Sequence, residues 1–222
     1  MSNEIIINET CDEKEFIIKT KEAIGLKPID IKFKKLDERA VIPTYAHDGD
    51  VGMDLTAIDV EYDEEKDLYI YHTGLAFESD KHYGQLLFPR SSNRKTDAYL
   101  CNSVGIADSA IYRGEIMICY KNRDSISLMA EVEGLKAYIS TLSVALSENV
   151  NSSEIASVSL EMYNFSKEKC IEKAKNLEFA PYKVGDKVAQ MVFVSYPNVN
   201  LIEQEELTDT ERGANGFGST GN

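Results

Sequence analysis

Hydrophobic and polar residues alternate over short stretches in most of this chain. Residues 29–33 are apolar at every second position, which predicts a half-buried strand. Short apolar runs separated by turn residues follow at 55–60, 68–71, 73–77 and 85–88. Residues 188–194 are almost continuously apolar and predict a strand that is buried on both faces. Short strands at this spacing are typical of a β-sandwich or barrel.

Between residues 122 and 180 the period of the pattern changes from strand to helix. Alternating steps of four and three predict an apolar helix stripe, formed by Leu128, Val132, Leu135, Ile139, Leu142 and Leu146. Gly134 falls inside this stripe, and a glycine destabilises a helix by about 1 kcal/mol relative to alanine. Packing must therefore stabilise the helix. Residues 148–153 predict a turn in which Asn151 caps a second helix, and a last helical piece is expected over 167–177.

These patterns divide the chain into a β domain, residues 29–222, and a helical insertion in it, residues 122–180. The insertion is expected to pack against its own sheet or a neighbouring subunit, and a site for a partner protein is the alternative. Residues 1–28 are an amino-terminal extension, interpreted as an extra packing arm. Residues 212–222 have the composition of a disordered tail, but Arg212, the glycines and Ser219 around Phe217 also suit a flexible lid that a ligand orders.

Composition and charge narrow the function classes. Acidic residues outnumber basic ones by 38 to 24, a formal net charge of −14, so no general positive field exists to attract nucleic acid. No apolar run approaches the roughly 18–20 residues that span a bilayer, and the amino terminus is acidic, unlike a signal peptide. We therefore expect a cytoplasmic protein, or one in the host-cell cytoplasm if its source is viral or phage. The four cysteines form no CxxC pair and are interpreted as reduced thiols.

Candidate chemistry is concentrated between residues 88 and 119. Arg90, Ser91 and Ser92 form a turn that offers a bidentate cation, two hydroxyls and several backbone N–H donors, a combination that suits phosphate. Gly105 lies in a short predicted hairpin, where a glycine lets a flat ligand approach the backbone, and Asp108 follows it. Taken singly, such a PRSS segment is more often an ordinary turn, and an aspartate such as Asp108 is more often an ordinary loop carboxylate.

Together with three further blocks, this stretch resembles the trimeric deoxyuridine triphosphate nucleotidohydrolases (dUTPases). The five blocks stand in the order of that family: AHDGDVGMDL at 46–55, PRSS at 89–92, a segment from Asn102 to Glu115 that includes GIAD and YRGE, GDKVAQM at 185–191 and RGANGFGSTG at 212–221. The resemblance covers residues 29–121 and 181–222. It implies a mainly β fold, a distorted jelly-roll barrel, and a homotrimer with shared active sites. It further implies hydrolysis of dUTP to dUMP and pyrophosphate with Mg²⁺, which keeps uracil out of DNA and supplies dUMP for dTMP synthesis.

The resemblance also assigns roles to individual residues. Asp108 would accept the proton of the attacking water, and Asp54 would orient a metal-bound water as an outer-shell ligand. The uracil edge would pair with the hairpin backbone and the Asn102 side chain, Tyr112 would lie under the deoxyribose, and Phe217 would stack on the base. The full set of substrate-binding residues is Arg90, Ser91, Ser92, Asn102, Gly105, Ile106, Ala107, Tyr112, Met117, Gln190, Arg212, Phe217, Gly218 and Ser219.

Departures from the family pattern keep alternatives open. Asp108 and Tyr112 are separated by one residue more than usual, Ala107 replaces a larger side chain, and Lys187 and Asn215 stand where Arg and Gly are usual. One alternative is a dCTP deaminase of the same fold, although that chemistry needs a glutamate and this hairpin offers an aspartate. The other is a regulatory protein that binds a partner through the helical insertion.

Overall fold

A computed structural model describes residues 29–147, 152–211 and 214, with no side chain described for residues 146 and 152–154. The predictions for the amino-terminal extension, and those for Arg212, Phe217, Gly218 and Ser219 in the carboxyl-terminal lid, lie outside these residues.

The described chain is built mainly from antiparallel strands in two four-stranded sheets and one two-stranded sheet. The sheet orders are β2-β10-β6-β8, β3-β4-β9-β7 and β1-β5. The strands are β1 (Lys32–Lys35), β2 (Met53–Thr56), β3 (Asp59–Asp63), β4 (Leu68–His72), β5 (Leu75–Glu78), β6 (Tyr83–Phe88), β7 (Ala98–Leu100), β8 (Gly105–Ala107), β9 (Met117–Asn122) and β10 (Lys187–Ser195). This arrangement confirms the predicted fold class, a β fold with helices inserted before its last strand.

One hydrophobic core joins the two larger sheets, and buried tyrosines lie at its centre. Leu55 and Met191 of one sheet share this core with Ile118 of the other. Tyr71 and Tyr120 are fully buried, and their rings meet edge to face at a centroid distance of 6.0 Å. Both phenols donate hydrogen bonds to backbone carbonyls, so their polar atoms are satisfied inside the core.

Three strand predictions need correction. The strand expected at residues 29–33 begins three residues later, and all four residues of β1 are exposed rather than alternately buried. β1 has a single neighbour, β5, and lies at the edge of the two-stranded sheet. The run at 55–60 is split between β2 and β3, because the amides of Ala57 and Ile58 bond to residues 186 and 72 between the two strands. β10 is fully buried only at Val188, Ala189 and Met191, not along both faces.

The insertion is a pair of packed helices, α1 (Ile126–Ser147) and α2 (Ser152–Lys175). The last helical piece expected at 167–177 is not separate, because α2 runs through to Lys175. Tyr69 ties the end of α2 to the sheet by donating a hydrogen bond to the carbonyl of Ala174 at 3.3 Å. No helix in the described part of the chain is long and apolar enough to cross a membrane.

Within one chain, α1 packs on α2 through a face other than its apolar stripe. Leu128 and Ile139 of the apolar stripe are 62% and 63% exposed, whereas Ala130 and Gly134 are buried. A Cβ built on Gly134 would lie 2.7 Å from the ring of Tyr163 on α2. The helices therefore approach each other closely at Gly134, and the stripe residues Leu128, Val132, Leu135 and Ile139 are left exposed.

Candidate active site

Three neighbouring strands and a short 3-10 helix bring one group of the predicted site residues together. In the register of the sheet, Gln190 on β10 lies between Asp54 on β2 and Phe88 on β6. The chain leaves β6 through Pro89 and Arg90 into a 3-10 helix, Ser91–Lys95. These pairings place the carboxylate, the amide and the PRSS turn at the same end of the sheet.

Asp54 and Arg90 form the centre of this group. The guanidinium of Arg90 donates to Asp54 through Nε at 2.7 Å and to the Ser92 hydroxyl through Nη1 at 3.1 Å. Nζ of Lys187 lies 2.7 Å from the second carboxylate oxygen of Asp54. One carboxylate thus orients two cations beside the turn. We call Asp54, Arg90, Ser92 and Lys187 the anchor cluster.

The electrostatics of Asp54 follow from these contacts. Its side chain is only 8% exposed, and this burial by itself would raise the pKa of the carboxyl. The hydrogen bonds from Lys187 and Arg90 outweigh burial and hold the pKa below its ordinary value. Asp54 is therefore ionised at neutral pH, and the cluster carries two cations against one anion.

The described residues do not form a metal site on their own. They contain no group of three or more His, Cys, Asp and Glu side chains arranged to hold an ion. The carboxylate oxygens of Asp54 already bind Arg90 and Lys187, which leaves this side chain a poor ligand for a resident metal. The outer-shell role expected for Asp54 stays a prediction.

A second group of predicted residues surrounds strand β8. Gly105 is buried, and a Cβ there would lie 3.0 Å from Leu87 and 3.2 Å from Nδ2 of Asn102, so a larger residue does not fit without a shift. Ile106 is 74% exposed, and Asp108 after it is exposed as well. β8 pairs with β6 and not with β7, so the expected narrow hairpin is a strand at the sheet edge joined to a tight turn at 101–104.

The extra residue between Asp108 and Tyr112 is accommodated in a turn. The carbonyl of Asp108 accepts hydrogen bonds from the amides of Ile111 at 2.8 Å and Tyr112 at 2.7 Å. Arg113 closes the loop by donating to the carbonyls of Ser109 and Ala110.

Two exposed side chains lie beyond this turn. The Tyr112 ring folds over Gly114, where a Cβ would lie 2.3 Å from the phenolic oxygen, and its hydroxyl donates to the carbonyl of Glu115. Met117 is 45% exposed at the start of β9. Both remain accessible to a ligand.

One chain does not bring the two groups together. Ala107 pairs with Gln85, so Asp108 comes level with Gly84, whereas Arg90 follows the opposite end of β6. Gly84 and Arg90 are six positions apart in the sequence, which in an extended strand is on the order of 20 Å. Asp108 and the anchor cluster therefore lie too far apart to contact one small ligand in the same chain.

Comparison with known proteins identifies the family. The sequence model of the dUTPase family matches residues 38–131 and 151–221, well over half of the chain. The chain belongs to the dUTPase family. The match leaves out residues 132–150 but includes all of α2, so less of the insertion lies outside the family than the motifs indicate.

Relatives and solved structures agree with this assignment. The deoxyuridine 5'-triphosphate nucleotidohydrolase of Trichodesmium erythraeum is 30% identical over 86% of this chain and 98% of that protein. The enzyme of the same name from Alkaliphilus metalliredigens is 28% identical over 86% of this chain and 97% of that protein. A structure of the Staphylococcus bacteriophage 80alpha dUTPase with dUpNHpp has a TM-score of 0.53 and 20% identity, and covers 86% of this chain and 98% of that one. The structural likeness shows the dUTPase fold.

Two contacts at this end of the sheet could not be predicted from the sequence. Lys187 was noticed only as a departure from the usual Arg, and its ion pair with Asp54 depends on a strand pairing that spacing does not reveal. Tyr182 carried no motif, yet its hydroxyl donates to Oδ1 of Asn93 in the 3-10 helix at 2.9 Å.

Proposed function

We propose that this protein hydrolyses dUTP to dUMP and pyrophosphate, which keeps uracil out of DNA and supplies dUMP for dTMP synthesis. Family membership carries the proposal, because the match includes all the blocks from which the site residues come. The relatives from Trichodesmium and Alkaliphilus bear the name of this activity.

In this mechanism Asp108 is the general base. Its carboxylate is exposed at the end of β8, where a water molecule can reach it. A carboxylate that takes the proton as water attacks the α-phosphorus makes a weak nucleophile effective. The bond to the leaving pyrophosphate then breaks, and negative charge develops on the phosphate oxygens.

The anchor cluster supplies the opposite charge. Arg90 and Lys187 are held by Asp54, so they are oriented before the triphosphate binds and need little rearrangement to stabilise the developing charge. Ser91, Ser92 and Gln190 add polar contacts beside them, and Arg212 is proposed to join from the lid. Mg²⁺ is expected to enter as part of the substrate, chelated by the triphosphate.

Selection of uracil is proposed for the segment around β8. Gly105 lets the base approach the backbone, the backbone of Ile106 and Ala107 pairs with its edge, and Asn102 adds a side-chain contact. The Asn102 amide already lies over Gly105, which supports this arrangement. A pyrimidine with the wrong donors would leave buried polar groups unpaired, which discriminates strongly. Tyr112 and Met117 are proposed to contact the sugar, and Phe217 with Gly218 and Ser219 to cover the base.

The active site is proposed to be shared between the subunits of a homotrimer. The distance along β6 between Asp108 and Arg90 supports sharing, because two chains must meet to complete one site. The chain after β10 supports it as well. Apolar side chains in this arm are largely exposed: Val199 71%, Leu201 94%, Ile202 76% and Leu207 86%. Such an arm gains stability by packing on another copy, and it leads directly into residues 212–222.

One assay tests the function. Pyrophosphate release should be measured with dUTP and the four common dNTPs, and dUTP should be hydrolysed far faster than the others. Ammonia release from dCTP would instead establish the deaminase. Removing residues 212–222 should leave a folded protein with severely reduced dUTP hydrolysis, because this segment is rich in glycine and contains no large apolar residue except Phe217.

A protein partner at the insertion stays a prediction. The side chains available to it are the exposed large apolar residues of α1, including Leu128 and Ile139.

A further inference from the structure

A hydrogen-bonded chain runs from the anchor cluster into the core through Tyr182. Arg90 donates to the Ser92 hydroxyl at 3.1 Å, and its backbone carbonyl accepts from the amide of Asn93 at 2.9 Å. The phenol of Tyr182 donates to Oδ1 of Asn93 at 2.9 Å. The Tyr182 hydroxyl is thus linked through Asn93 to the 3-10 helix that follows Arg90.

Asn93 connects the Tyr182 hydroxyl to the rest of the turn through further hydrogen bonds. Its Nδ2 donates to the carbonyl of Ala98 at the start of β7, and its Oδ1 also accepts from Thr96. The amide of Asn93 donates to the carbonyl of Arg90 at 2.9 Å. A change in the position of Asn93 therefore moves the backbone that carries Arg90, Ser91 and Ser92.

The ring and the backbone of Tyr182 are held in place by other core residues. Only 7% of the residue is exposed, and its ring lies 5.1 Å from that of Tyr120 and 6.0 Å from that of Tyr71, centroid to centroid. The hydroxyl of Tyr71 donates to the carbonyl of Tyr182 and accepts from its amide, both at 3.0 Å. Because its ring and backbone are both held, the Tyr182 hydroxyl has a fixed position and can fix the position of the turn.

We propose that Tyr182 is a positioning residue that sets the PRSS turn for phosphate binding. It acts through Asn93 and does not itself touch the substrate. The proposal rests on the proposed function, since it assigns the turn to the phosphates of dUTP. The groups it positions lie at the phosphate end of the site, so its loss should weaken phosphate contacts and leave contacts to the nucleoside intact.

The test is the variant Tyr182→Phe, which removes the hydroxyl and keeps the ring. Inhibition by inorganic pyrophosphate should weaken by about 3- to 10-fold, the effect of one buried hydrogen bond. kcat/KM for dUTP should fall by at least the same factor, and inhibition by deoxyuridine, which lacks phosphates, should not change. Asn93→Ala, which removes the acceptor on the turn, should act in the same direction.

Tyr69→Phe is the matched control. It removes a buried tyrosine hydroxyl that bonds the carbonyl of Ala174, away from the turn. This variant should lose a similar amount of thermal stability with both inhibition constants unchanged.

Two results would overturn the proposal. One is unchanged pyrophosphate inhibition in both Tyr182→Phe and Asn93→Ala, and the other is an equal loss of pyrophosphate and deoxyuridine binding. Calorimetric titration of the wild-type protein with pyrophosphate separates this proposal from the proposed function. If pyrophosphate binding depends on Tyr182 but the protein does not hydrolyse dUTP, only the proposed function is refuted.

Discussion

Mixing two inactive variants tests whether each active site is shared between subunits. Asp108→Asn removes the proton acceptor at the end of β8, and Arg90→Gln removes the cation of the anchor cluster while keeping a donor for Asp54. In one chain Asp108 lies beside the start of β6 and Arg90 follows the end of this strand, so the two residues are on the order of 20 Å apart. Each variant alone should be inactive, because every site lacks one of the two groups.

The fraction of activity that is recovered depends on which chain supplies each group of a site. In a symmetric oligomer every site takes Asp108 from one chain and Arg90 from another. When the variants mix at random in equal amounts, half of the chains supply an intact Asp108 and half an intact Arg90, so about one quarter of the sites are complete. If both groups of a site came from one chain, no site would be complete and activity would stay at zero.

The assay is pyrophosphate release from dUTP after the variants are refolded together or co-expressed. Light scattering should give about 75 kDa for the mixed protein, three times the chain mass of 24.9 kDa. Separate refolding of each variant, followed by mixing without exchange of subunits, is the control and should show no recovery. Absence of recovery in verified mixed trimers would refute the shared site, and a fully active particle of 24.9 kDa would refute the oligomer.

Three further outcomes are expected. Asp108→Asn should abolish single-turnover hydrolysis while calorimetry shows nearly unchanged dUTP affinity; near-wild-type turnover would remove Asp108 from the role of base. Gly134→Ala should lower the free energy of unfolding in urea by about 1 kcal/mol, because the clash 2.7 Å from Tyr163 outweighs the gain in helix propensity. Leu135→Ala, at a 52% exposed position, should be nearly neutral, and the opposite order would contradict the packing of the two helices. Burial lowers the pKa of His72 but its contact with Glu115 at 3.0 Å outweighs this, so the pKa is raised in the folded state. Its contribution to stability is complete below about pH 6.5 and is lost as the pH rises through the raised pKa. Glu115→Gln should flatten the plot of the urea unfolding midpoint against pH in this range. An unchanged plot would show that another group causes the pH dependence.

The sequence by itself determined the family and the fold class. Glycines, a cation and carboxylates at fixed spacing within five ordered blocks are local features, and strand periodicity depends only on neighbouring residues. The same patterns located the helices of the insertion between β9 and β10, and they indicate Asp108, Arg90 and Gln190 as candidate site residues. The family, the fold class and the helices could be predicted because the relevant information lies within a few consecutive residues.

Only the tertiary structure decided which surfaces meet. The apolar stripe of α1 is left largely exposed within one chain, because α1 packs on α2 at Gly134, which allows the helices a closer approach than a leucine would. A heptad spacing shows that a helix has an apolar face, but not which face packs. Local pattern likewise contains no information on the partner of a polar side chain far away in the sequence. The ion pair of Lys187 with Asp54 and the bond from Tyr182 to Asn93 join residues 133 and 89 positions apart, and they exist only because folding places β10, β2 and the PRSS turn side by side.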